Sequence, residues 1–126
     1  MGADQQPGVF VQPVILNQTS FERVLGMAFD IEFTEPAANH VRSFRKFDQK
    51  IILAGVDEQL RHEPTKETKH RKRLGPNDLA TWELRIGDFR VFYDVETLKS
   101  REVVKVKAVG WKVHDKLTVG GEEVQL

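Results

Sequence analysis

Arg85 and Arg90 flank Gly87-Asp88 in the stretch Trp82-Glu83-Leu84-Arg85-Ile86-Gly87-Asp88-Phe89-Arg90-Val91-Phe92-Tyr93-Asp94. Strict alternation puts Trp82, Leu84 and Ile86 on one side, and Phe89, Val91 and Tyr93 continue that apolar side after the turn. Glu83, Arg85, Arg90 and Phe92 then face the other way. A two-residue turn at Gly87-Asp88 pairs Ile86 with Phe89, Arg85 with Arg90 and Glu83 with Phe92. Directly opposed like charges destabilise a sheet, so the arginine pair asks for a reason. One is a bound phosphate, for which the planar guanidinium fork is suited. The other is Glu83, two residues along the same face, screening both arginines in a small ion network.

The elements that would hold this pair have to come from a short chain. At 126 residues it is one domain with a modest core. Formal charge balances, with the C-terminal half the more basic, so a nucleic-acid partner is allowed without being announced. The absence of cysteine excludes disulfides, thiolate chemistry and Cys-based zinc sites. His40, His62, His70 and His114 show no metal-ligand spacing, and no metal or other cofactor is expected. No signal peptide and no bilayer-length apolar run is present, and the expected location is the cytoplasm.

Residues 1–26 fit no period and are read as an N-terminal extension, either upstream sequence or an added strand; the domain runs from 27 to 126. Residues 28–33 suit a strand with Phe29, Ile31 and Phe33 on one face. Thr34-Glu35-Pro36 is a helix entry. Ala37, Val41 and Phe44 make a helical stripe, and Asp48 is placed to cap a second helix carrying Ile52, Val56 and Leu60, with Gly55 inside it. The two should form an antiparallel helix hairpin. Residues 61–79 read as a charged loop, with a short strand around Arg71–Leu74. After the 80–95 hairpin, residues 101–109 make a strand in which Val104, Val106 and Ala108 alternate with Lys105 and Lys107. Val103 and Val109 blur that alternation by sharing the lysine face. The tail resembles a closing hairpin turning at Gly120-Gly121. The fold class is α+β: an N-terminal strand, a helix hairpin, then a mainly antiparallel sheet of three to four strands with the helices on one face. Glu83, Arg85, Arg90, Lys105 and Lys107 should lie on the opposite, open face, with Trp82 and Tyr93 in the core. His40 reads as a surface residue.

The helix pair, Lys72-Arg73-Leu74-Gly75, the 82–93 hairpin, and residues 103–110 followed by Trp111-Lys112-Val113-His114 resemble toxins of the RelE/ParE superfamily, the toxic half of bacterial type II toxin–antitoxin modules. The resemblance spans about residues 29–117. It implies a small helix-backed sheet whose open face cleaves mRNA in the ribosomal A site in RelE-like members. ParE-like members share the fold and poison DNA gyrase. A cognate antitoxin is the implied partner, and a membrane is not. Arg85 stands where RelE-like enzymes often carry a catalytic basic residue, and Arg90 matches the arginine after the turn. Lys112 occupies another position that is basic in active members, and His114 lies where some relatives have an acid–base group. The chain departs from the family in lacking a tyrosine near its C-terminus.

Metal-independent RNA cleavage needs a base for the ribose 2′-OH, cations for the phosphorane and an acid for the leaving 5′-oxygen. Arg85 and Arg90 would stabilise the phosphate, with Glu83 as base and His114 or Lys112 as acid. Phe92 or Trp111 would stack on a base. Each has a plainer reading: Glu83 as an ion partner, His114 as a loop residue. Lys105 and Lys107 form a solvated or RNA-facing surface. Lys69, Arg71, Lys72 and Arg73 form a solvated loop, a grip on RNA phosphates, or a landing place for an acidic antitoxin segment. The competing functions are a gyrase inhibitor and a non-catalytic, degenerate toxin that only binds.

Overall fold

The computed structural model describes residues 28–126; the extension assigned to residues 1–26 lies outside them. The chain runs β1 (Asp30–Phe33), α1 (Glu35–Arg42), α2 (Lys46–Leu60), β2 (Arg71–Arg73), β3 (Trp82–Ile86), β4 (Phe89–Leu98), β5 (Arg101–Val113), β6 (Lys116–Val119) and β7 (Glu122–Val124). It is an α+β fold in which a strand and two helices precede six antiparallel strands curled into a half-barrel. The sheet order is β2-β3-β4-β5-β6-β7, and β1 lies parallel to β5. β1 and β6 share one edge of β5, at residues 103–106 and 110–113 respectively.

Thr34 caps α1 as its position predicts. Its hydroxyl accepts from Ala37 N at 3.2 Å, and Pro36 sits in the first turn, where its missing N–H costs nothing. The second helix begins earlier than expected. Arg45 holds the extended cap position and Asp48 lies inside the first turn, 3.1 Å from Arg45 Nε, where a carboxylate suits the helix dipole without capping. Ile52, Val56 and Leu60 are buried, as their spacing of four requires. Gly55 shares their helix because α2 presses on β3: a Cβ there would collide with the side chain of Ile86.

The 82–93 hairpin has the expected register, Ile86 with Phe89, Arg85 with Arg90 and Glu83 with Phe92. Beyond it the sheet is larger than expected, with six strands after the helices rather than three or four. Two of its turns, Lys99-Ser100 and His114-Asp115, place non-glycine residues at positive φ, so the usual Asn-Gly or Gly-Gly signal is missing from the sequence. The turn at Gly120-Gly121 does form the anticipated closing hairpin.

Two apolar clusters result. Val41, Ile52, Val56 and Leu60 meet Leu84, Val91, Tyr93, Val104, Val106 and Val109 between helices and sheet. Trp82 belongs to this cluster, and Tyr93 is wholly buried there, its hydroxyl donating to Pro64 O at 2.6 Å. Burial pushes the Tyr93 phenol well above its ordinary range. The second cluster, Phe92, Ala108 and Leu117 with Leu74, Leu79, Ala80, Val119 and Val124, fills the concave side of the curl. A register shift separates the two on β5: Phe92 pairs with Ala108 but Tyr93 with Val106, leaving Lys107 as the extra residue of a bulge. Val109 is thereby moved to the helix side, correcting its expected place on the lysine face.

Candidate phosphate-binding site

Four of the polar candidates converge at one end of the concave face, beside the Gly87-Asp88 turn. Glu83 is 5% exposed and accepts from Arg85 Nε at 3.2 Å. Its second carboxylate oxygen is 3.9 Å from Arg90 Nε, too far for a hydrogen bond. Arg90 Nη1 is tied to the turn through Gly87 O at 2.8 Å and Phe89 O at 3.0 Å, while its buried Nε has no hydrogen-bond partner. The Arg85 side chain is 41% exposed and that of Arg90 14%. A buried carboxylate therefore braces a pair of cross-strand arginines, one fixed and one reaching toward solvent. Glu83 screens the pair, and a single carboxylate leaves it with net positive charge.

Gly110 is the β5 partner of Arg90. A Cβ at Gly110 would run into the Thr118 carbonyl, so its lack of a side chain lets β6 lean over the sheet next to the arginines. Lys112 follows two residues on, its backbone N donating to Asp88 O at 2.8 Å. That bond ties the end of β5 to the arginine hairpin and puts Lys112 at the rim. His114 lies just beyond, exposed, in the turn before β6. No hydrogen bond joins it to the arginines.

Several expected contributors lie elsewhere. Phe92 is wholly buried under the second cluster and presents no ring for a base, because the curl and residues 74–80 cover the face that was expected to be open. Trp111 pairs with Phe89 on the helix side, edge-on to Phe44 at 5.7 Å, with the sheet between it and the arginines. Arg71 is engaged within the fold: its buried guanidinium donates to Lys66 O, Gln59 O and Gln59 Oε1, each at 2.9 Å. Arg73 turns to the helix side, its guanidinium 5.9 Å from the Trp82 ring centre. Lys105 and Lys107 share the arginine face but are paired with Glu96 at 3.6 Å and Asp94 at 3.5 Å.

Lys69 and Lys72 are exposed beside the site. With Glu67, Thr68, Arg71 and Arg85 they line an open hollow of about 450 Å³. Nothing in the sequence marks Glu67 and Thr68 beyond their place in a charged loop. His40 also proves more than a surface residue. Its Nδ1 accepts from Val109 N at 3.2 Å, satisfying an amide beside the Lys107 bulge, and burial holds its pKa below the usual histidine value. Thr34 Oγ1 donates to Lys107 O at 3.3 Å, so α1 grips the bulge at both ends. Among the described residues, no group of three or more His, Asp or Glu could hold a metal ion, and no helix is long and apolar enough to cross a membrane. No family model matches the chain, and no curated protein matches it.

Proposed function

We propose that this chain is a toxin of the RelE/ParE type, a metal-independent endoribonuclease that cuts mRNA at the ribosome and is restrained by a cognate antitoxin. The observation that carries the reading is the Arg85–Arg90 pair, braced by buried Glu83 at the end of a helix-backed sheet. The helices packed on one side of the sheet accord with the helix-backed sheet the resemblance implies.

In such a reaction the ribose 2′-oxygen attacks the adjacent phosphorus and the bond to the 5′-oxygen breaks, leaving a 2′,3′-cyclic phosphate and a 5′-hydroxyl. The two guanidiniums neutralise the charge gathering on the phosphorane. Glu83, already bonded to Arg85, acts first as a positioning residue. Lys112 and His114 at the rim are the groups left to move protons, one from the 2′-hydroxyl and one to the leaving oxygen.

One observation favours a ParE-like gyrase inhibitor instead: neither Phe92 nor Trp111 offers a ring on the arginine face. Induced expression with separate measurement of translation and DNA synthesis discriminates the two. The endoribonuclease reading expects translation to fall first, and expects Arg85→Ala with Arg90→Ala to abolish that fall in a folded protein. Early loss of DNA synthesis with translation spared points to gyrase. Absence of both effects would leave a binding protein.

A further inference from the structure

The lysines of the concave side are not equivalent. Lys105 and Lys107, further along the sheet from the turn, have carboxylates within 4 Å and add little net charge to their end of the face. Lys69 and Lys72 have no ion-pair partner among the described residues, although Lys72 stands opposite Glu83 in the β2–β3 register. They border the hollow of about 450 Å³ that opens beside Arg85, so Arg85 belongs both to the arginine pair and to this second cationic pocket. The one carboxylate lining it, Glu67, accepts from Arg73 N at 3.0 Å and is thereby drawn toward the backbone of β2. Thr68 Oγ1 accepts from the His70 and Arg71 amides, at 3.1 and 3.2 Å, which fixes the loop that carries Lys69. From β4 through β3 to β2 is two interstrand steps, roughly 10 Å. Positive charge therefore continues from Arg90 across Arg85 to Lys72 and Lys69.

We propose that single-stranded RNA leaves the Arg85–Arg90 pair across the β2 edge, with a neighbouring phosphate seated between Lys72 and Lys69, and does not run along the sheet past Lys105 and Lys107. This rests on the reading of the arginine pair as an RNA-phosphate site, and it assigns the direction of the strand from there.

The test measures binding alone, using a short 2′-O-methyl oligoribonucleotide that cannot be cut, titrated at several salt concentrations. Failure of cleavage and failure of the track are then separate results. Lys69→Ala with Lys72→Ala should weaken binding about tenfold near physiological salt and lower the salt slope by about 0.7, one single-strand phosphate contact. Lys105→Gln with Lys107→Gln should change neither. Thermal melting of both variants guards against a folding effect. An unchanged slope in the first variant, an equal or larger loss in the second, or no binding by the wild-type protein would each overturn the proposal.

Discussion

Glu83 stands at the base of the arginine pair, and its surroundings decide its role. A carboxylate that is nearly inaccessible, bonded to one guanidinium and close to another, is better placed to orient cations than to take a proton from a ribose. Glu83→Gln keeps the shape and removes the charge. If Glu83 positions the arginines, the variant loses cleavage rate while the pH–rate profile keeps its form; loss of the acidic limb would make Glu83 the base. Stability should fall by about 1–3 kcal/mol, the usual cost of losing a hydrogen bond to a charged group. His40 makes a second prediction. Its Nδ1 must be unprotonated to accept from Val109 N, and its folded pKa lies below the unfolded 6.5. The unfolded chain therefore takes up the proton first, and this contribution to stability is complete above about pH 6.5 and lost as pH falls through the folded value. Denaturant melts at pH 7.5 and pH 5 should show a smaller pH difference for His40→Ala than for the wild type; an equal difference would remove His40 from the account.

Elements divide by whether their signals are local. The 82–93 hairpin was legible to the residue, because alternation of apolar and charged side chains around Gly87-Asp88 fixes both face and register. The helix stripe at Ile52, Val56 and Leu60 was legible for the same reason at a period of 3.6. The curl of β5–β7 over the concave face was not. It depends on Lys107 bulging from β5, on two turns with non-glycine residues at positive φ, and on β6 closing over Gly110, none of which a periodicity reveals. That is why Phe92, exposed by its alternation, ends wholly buried, and why Arg71, one of a run of basic residues, is spent on Gln59 and Lys66. Gly110→Ala tests the closing contact. Its Cβ meets a backbone carbonyl that cannot rotate away, so the variant should lose about 1–3 kcal/mol, as overpacked sites do. Hydrogen exchange should quicken in β6 and β7 before the helices; unchanged protection there would mean that the close approach is not needed.

The molecule as a whole uses the two sides of one sheet for two purposes. The two helices bury the convex side, and the residues that could do chemistry are left at one end of the concave side, where the second cluster stops. That end gathers Glu83, Arg85, Arg90 and Lys112 from three consecutive strands, and the Asp88–Lys112 backbone bond joins the arginine hairpin to the end of β5. Helix-backed sheets serve many activities, so the chemistry of this end distinguishes the molecule more than its fold does. In the proposed reaction Arg85 and Arg90 together stabilise a phosphate during RNA cleavage. The most direct measurement is mapping of new RNA 5′ ends in a purified translation mixture with wild-type protein and with the folded Arg85→Ala, Arg90→Ala variant. Discrete cuts in the mRNA that carry 5′-hydroxyls and vanish in the variant are expected; cuts that persist in the folded double variant, or an intact mRNA with the wild type, would rule out this role for the arginine pair.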